Sequence, residues 1–292
     1  MQKYANSFSD KVFDAVNVII MIVLLAVFIW PLWFVMIASI SDPSAVTTGK
    51  VFLLPKMITF EGYQKMLKYT SIWLGYRNTI FYTLVGTALN MIMSVLLAYP
   101  VSDKTYALRR PMLAFYMFTM YFSGGLIPNY VLMMKLHLVN KIAGFIMPSL
   151  LSTYYIILMK SFFAETPHEL EEAGELDGLS PIGIFIRIVL PLSMPIIATM
   201  ILFNAVGYWN NWYNAFLYLD KKEMWPVAYY LKTVISGAST SADPGEASAE
   251  KMQIAANIKS CSMVLMALPI ICVYPFISKY YVEGMMLGGV KE

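Results

Sequence analysis

Glu172-Ala-Gly-Glu-Leu-Asp-Gly178, followed after nine residues by Ile188-Val-Leu190-Pro191, is one of the few charged stretches in a very apolar chain of 292 residues. The hydrophobic fraction is 59% and the mean hydropathy +0.62, more apolar surface than a water-soluble fold of this length can hide, which places the chain in a bilayer. Asp, Glu, Lys and Arg are absent from 15–41, 78–102, 111–134, 142–159, 188–219 and 260–278. Each run supplies the roughly 18 to 20 helical residues that cross a hydrocarbon core. The expected fold is an all-α membrane protein in which 1–292 form a single transmembrane domain. Its six spans are expected at about 15–41, 78–102, 111–134, 142–159, 194–219 and 260–281, with a loop at about 161–191 between the fourth and fifth.

Lys3 and Lys11 precede the first run as they would in a signal peptide, but that run is too long and has no small-x-small cleavage site, so a retained helix is expected. Cys261 and Cys272 would lie about 16 Å apart along one helix, beyond disulfide reach. A net charge of +3 without a basic block interleaved with aromatics speaks against nucleic acid. Six spans put both termini on the side of the quoted stretch. On this topology the segments on the side opposite that stretch carry twelve Lys and Arg against nine on its own side, and seven acidic residues leave the opposite side at +5. Such a surface suits an acidic binding protein or uronic-acid-containing oligosaccharides, or equally lipid phosphates. In the first connection, Phe60, Tyr63, Met66 and Leu67 fall at helical spacing. The fifth connection ends in Ser236-Gly-Ala-Ser-Thr-Ser-Ala-Asp-Pro-Gly245, too small and polar to bury a core.

Between Lys160 and Arg187 lie Glu165, Glu169, Glu171, Glu172, Glu175 and Asp177, with no Lys or Arg among them. Thr166-Pro167 followed by Glu169 predicts a helix start, with Thr166 as cap and carboxylates near the positive end of the dipole. Gly178 is a natural stop, and Ser180-Pro181 starts a second helix leading to the fifth span. His168-Glu169 does not make a zinc motif, because the second histidine would have to stand where Glu172 is. No metal site is expected. The phosphate-cradling G-x-x-x-x-G-K-[ST] pattern is absent, so any ATP hydrolysis belongs to another polypeptide.

The fifth span contains Asn204, then Tyr208-Trp209-Asn210-Asn211-Trp212, a density of amides and rings that lipid does not tolerate on an exposed face. Amides pair with sugar hydroxyls while rings cover C–H faces, so these six residues are expected on a carbohydrate pathway. Interfacial anchoring by Trp and Tyr, with Asn bonding between helices, is the competing role. Ser123-Gly124-Gly125 and Pro128 should break the third span, as part of a gate or as a simple helix end.

The spacing from Glu172 to Pro191 resembles the cytoplasmic "EAA loop" of binding-protein-dependent ABC importers. With six spans, Tyr274-Pro275-Phe276 and the tail from Glu283-Gly284 to Gly288-Gly289, the chain resembles the MalG-like carbohydrate permeases over nearly its whole length. The likeness extends to the Gram-positive oligosaccharide branch through Gly207-Tyr208-Trp209-Asn210 and Gly124-Gly125 to Pro128-Asn129. Gly174 stands where the family usually has its second alanine. The resemblance implies a MetI-like permease fold with a coupling helix, contacts to an ATPase through Glu172, Ala173, Gly174, Asp177, Gly178, Ile188, Leu190 and Pro191, and no catalytic residue. It implies a heterodimer with a homologous permease, two ATPase subunits that bind ATP and Mg, an extracellular solute-binding protein and no cofactor in this chain. It further implies a multi-pass cell-membrane protein with cytoplasmic termini, importing oligosaccharide, including acidic plant-polysaccharide fragments, by alternating access. The same fold could carry a peptide, amino acid or polyamine instead, which the composition of the fifth span disfavours. A secondary transporter would place ionisable groups within its spans, and an intramembrane enzyme would need a nucleophile and base, neither of which the sequence offers.

Overall fold

A computed structural model describes residues 8–240, 257–273 and 275. Among them every regular element is helical. The chain divides into two compact units, Met1–Lys68 with Thr233–Ala267, and Tyr69–Lys232 with Leu268–Glu292.

The first unit contains α1 (Phe8–Ser39), α2 (Pro43–Thr47) and α3 (Glu61–Leu67). Within α1, Lys11–Ser39 is long and apolar enough to cross a membrane, and its most apolar window is wholly unburied. A helix that is apolar all round and left uncovered is at home only in hydrocarbon. The turn after it is fixed by Asp42, whose side chain accepts from the Ser44 backbone N–H at 2.9 Å with Pro43 opening α2. A hydrogen bond from the Ser44 hydroxyl holds the Asp42 carboxyl below its ordinary value. The amphipathic stretch around Phe60 does form a helix, α3. Its Met66 is buried and Tyr63 donates to Ser39 Oγ at 2.8 Å, while Phe60 stays exposed.

The second unit begins with α4 (Thr70–Ser102), α5 (Arg109–Tyr121), α6 (Leu126–Lys135), α7 (Ile142–Ile146) and α8 (Thr153–Phe163). It continues through α9 (His168–Leu176), α10 (Pro181–Ile184), α11 (Leu190–Leu192), α12 (Met194–Trp209) and α13 (Tyr213–Tyr218). Two further helices, α14 (Val227–Thr240) and α15 (Asn257–Val273), contribute residues to both units.

Several apolar runs that read as continuous are broken. Run 142–159 bends by 54° between Ile142–Ser149 and Thr153–Phe163, where Pro148 interrupts the ladder. The run opening the fifth span bends by 76° between Pro181–Leu192 and Met194–Trp209, beside Pro191 and Pro195. It breaks again after Trp209, so 194–219 is α12, a turn and α13 rather than one helix. Run 111–134 is split at Phe122–Gly125, where Gly125 has φ +83°. There the glycine makes the break, while Pro128 sits harmlessly in the first turn of α6. Among the described residues, two helices are long and apolar enough to span, Lys11–Ser39 and Thr70–Ser102, or up to four if each bent pair is one span. The structure carries α14 through Ser236 to Thr240, into the stretch expected to be irregular. The remainder of that stretch, Tyr274, Phe276 and the Glu283 to Gly289 tail lie outside the described residues.

α4 is the spine of the second unit. Its Met91, Ala98 and Val101 join Ile156 and Met159 of α8 and Ile196 and Met200 of α12 in one buried cluster. Farther along, Tyr82 stacks on Phe145 with ring centroids 4.5 Å apart, and the Tyr208 ring lies over Gly86. A Cβ at Gly86 would sit 2.6–2.8 Å from three Tyr208 ring atoms, so glycine is what lets α4 and α12 approach.

Candidate functional site

The segment around Glu172 to Ile184 folds as two helices and a tight turn. α9 ends with Asp177 at its C-cap and Gly178 at φ +79°. The Gly178 N–H donates to the Glu175 carbonyl at 2.9 Å and the Leu179 N–H to the Gly174 carbonyl at 3.0 Å, the paired bonds of a Schellman turn. Ser180 then caps α10 by accepting from the Gly183 N–H at 3.2 Å, with Pro181 at its first position. At the other end the sequence expectation shifts by one residue. Pro167 occupies the N-cap position without a side-chain bond, so Thr166 does not cap α9.

The motif residues divide by direction. Glu172, Ala173, Asp177 and Gly178 are exposed, whereas Gly174 is buried within the chain. A Cβ on Gly174 would lie 2.8 Å from Ile188 Cδ1 and 3.2 Å from Ile184 Cγ1, so this small residue seats α9 on the helix that follows it. Leu190 packs at the edge of the second unit's main core, and Pro191 is exposed. Sequence reasoning missed Leu176, which is 90% exposed at the end of α9 beside Glu172 and Ala173. Its signal was an apolar side chain facing away from the Gly174 seam on an otherwise acidic helix. His168 Nδ1 lies 3.5 Å from Glu172 Oε1, and a bond to its own backbone together with that carboxylate raises the imidazole above its ordinary value. The pair is therefore strongest below the raised value and fades as pH climbs through it. Partial burial pushes the Glu171 carboxyl up.

Ile188 Cδ1 is the mobile end of a side chain, so Gly174→Ala should be accommodated by a small rotation. Replacing an interior helical glycine should add roughly 0.5–1 kcal/mol of helix stability. Thermal unfolding of the purified variant should show no loss, and transport should be retained. A sharp loss of stability would mean that the α9–α10 seam cannot relax.

The expected pathway residues also separate. Asn204 and Tyr208, one turn apart on α12, line a cavity of about 230 Å³ together with Asn90, Ser149, Ser152 and Tyr155. The lining carries no formal charge and mixes amides, hydroxyls and rings. Asn204 is 5% exposed and donates to the Met200 carbonyl at 2.9 Å; Tyr208 is 3% exposed and donates to the Ile146 carbonyl at 3.2 Å. Asn211 donates to Ser149 Oγ at 3.3 Å and so braces the wall, joined by Asn214, which donates to the same oxygen at 3.0 Å. Trp209 instead lines a separate, almost wholly apolar cavity of about 280 Å³ with Ile80, Leu84 and Val206. Asn210 donates at 3.0 Å to the Val206 carbonyl of its own helix, and Trp212 lies beneath the Lys232 ammonium. Asn90, Ser149, Ser152 and Tyr155 were not singled out from sequence. Their signal was polar groups inside charge-free runs, which in a membrane need a partner or a cavity.

No family model matches the sequence. The chain is 34% identical over 286 residues to Protein LplC of Bacillus subtilis, covering 98% of this chain and 97% of that protein. It is 33% identical over 283 residues to the polygalacturonan/rhamnogalacturonan transport system permease protein YtcP of the same organism, covering 97% and 99%. The fold matches a chain in the crystal structure of a bacterial ABC transporter involved in the import of the acidic polysaccharide alginate, with TM-score 0.84, 30% identity, and coverage of 96% of this chain and 100% of that one. Likeness at this level over the full length, in sequence and in fold, establishes that the chain belongs to the carbohydrate ABC transporter permeases, membrane transport subunits and not enzymes.

Proposed function

We propose that this permease forms half of the translocation path of an oligosaccharide importer and is driven through α9 by a separate ATPase. Permeases of such importers work with a second permease, ATPases and a solute-binding protein. The uncharged cavity walled by Asn90, Ser149, Ser152, Tyr155, Asn204 and Tyr208 carries the reading, since neutral donors, acceptors and rings match sugar hydroxyls and C–H faces. A polyamine or an amino acid would call for charged partners, and three similar proteins with named cargoes carry carbohydrate names.

The finer arrangement follows from the same reading. One transmembrane domain crosses the membrane six times, with the broken helices counted as single spans, both termini cytoplasmic and α9 on that side. ATP and Mg are bound by two partner ATPases. Glu172, Ala173, Asp177 and Gly178 with Leu176 face the ATPase, while Gly174, Ile188 and Leu190 pass its movement to α12. Trp209, Asn210 and Trp212 contribute to the path or its mouth when the second permease is in place. ATP binding closes the ATPases, α9 moves, and the bend at Ser193 lets α12 follow.

Asn204→Ala tests the cavity. Loss of a buried amide facing substrate should cut uptake by the reconstituted importer roughly tenfold, because stranding a polar group costs about 1–3 kcal/mol. Assembly with the other subunits should be unchanged. Full uptake in this variant and in Tyr155→Phe would remove the cavity from the path.

A further inference from the structure

Beyond the turn that ends α12, four aromatic rings gather on the surface of the second unit. Trp212 meets Tyr213 edge-on at 5.6 Å and Phe216 at 6.3 Å, and Phe216 meets Tyr229 at 6.3 Å. Tyr213 is 44% and Phe216 56% exposed, so the cluster leaves ring area uncovered. Lys232 of α14 holds its ammonium 3.6 Å above the Trp212 ring centroid. The electron-rich ring face attracts the cation and fixes its place without neutralising it. Among the described residues the lysine has no ion pair. The carboxylate that lies near Tyr229 belongs to Asp220, and it is held by Asn140 Nδ2 at 2.8 Å.

We propose that Trp212, Tyr213, Phe216 and Lys232 form a docking shelf for uronate units of an acidic oligosaccharide, the rings covering sugar C–H faces while Lys232 pairs with the carboxylate. The inference rests on the reading of this chain as an oligosaccharide permease and names the charge of its cargo. Chemistry and position both support it. A fixed cation beside uncovered rings matches a ligand that is apolar on its faces and anionic at one edge, where a charge-assisted bond adds selectivity. The shelf also adjoins the cavity, because Asn211, next to Trp212, bonds to Ser149 in the cavity wall. That cavity is uncharged, so discrimination between acidic and neutral sugars falls to the shelf. Lys232 lies in the connection read as external, where substrate arrives.

The test is uptake by the complete importer in proteoliposomes, at saturating binding protein, of trigalacturonate and of its carboxyl-reduced neutral counterpart. Lys232→Gln should lower trigalacturonate uptake about threefold to tenfold while changing neutral uptake less than about twofold. Lys232→Arg should restore it, and the difference should shrink as salt is raised. Equal changes for the two sugars, no change for either, or wild-type uptake of the neutral sugar alone would overturn the shelf and leave the oligosaccharide reading standing. Wild-type uptake of neither would overturn both.

Discussion

Leu176→Asp should reduce sugar-stimulated ATP hydrolysis by the assembled importer at least about a hundredfold, an effect equivalent to about 2.7 kcal/mol. Leu176 is 90% exposed in this chain, so it contributes almost nothing to the permease's own stability. If α9 enters the ATPase, that side chain is buried on docking, which contributes about 2 kcal/mol. A carboxylate placed there adds a desolvation cost of several kcal/mol unless a cation meets it. Gly178→Val acts by different physics. A Cβ at Gly178 meets no atom of the chain within 4 Å, but φ +79° costs a β-branched residue about 1–2 kcal/mol. It should therefore impair coupling less than Leu176→Asp does. Subunit association measured by co-purification, beside ATP hydrolysis, separates weak docking from misfolding. Undiminished stimulation in Leu176→Asp would mean that α9 is not the docking element.

The second large effect lies in the helix seam. Gly86→Leu should abolish a stable second unit, and even Gly86→Ala should cost about 1–3 kcal/mol by overpacking. The added Cβ would stand 2.6–2.8 Å from the Tyr208 ring, which is 3% exposed and hydrogen-bonded to Ile146. That ring has nowhere to go. Thermal unfolding in detergent should show the loss, and Gly86→Ala combined with Tyr208→Leu should cost less than the two changes separately, since the residues share one contact. Strict additivity would contradict the packing of α4 on α12.

The helical membrane class was legible in the sequence because water-soluble chains rarely hold several charge-free runs of span length. Gly178 and Ser180-Pro181 were equally readable, each being a local rule of backbone geometry. The bends were not, since a charge-free window says nothing about direction, and Pro191 and Pro195 mark where the helix can bend without fixing the 76° by which it does. Gly174 looked like a docking residue because small residues permit close approach at any interface. Which neighbour it approaches, here Ile184 and Ile188, depends on the fold of the next ten residues. The residues expected on the pathway show the same limit: Asn204 and Tyr208 share a helical face, while Trp209, one step on, looks into an apolar cavity. Periodicity separates these faces, but it does not reveal which one meets Ser149 across 55 or more residues of chain.

ATP-driven import by this permease is measured as accumulation of labelled oligosaccharide in proteoliposomes holding both permeases, with and without the ATPase subunits and lumenal ATP, the binding protein being supplied outside. Accumulation should require ATPases, ATP and binding protein together. It should collapse when Leu176→Asp replaces the native chain. Accumulation driven by an ion gradient with the ATPases absent would contradict the account.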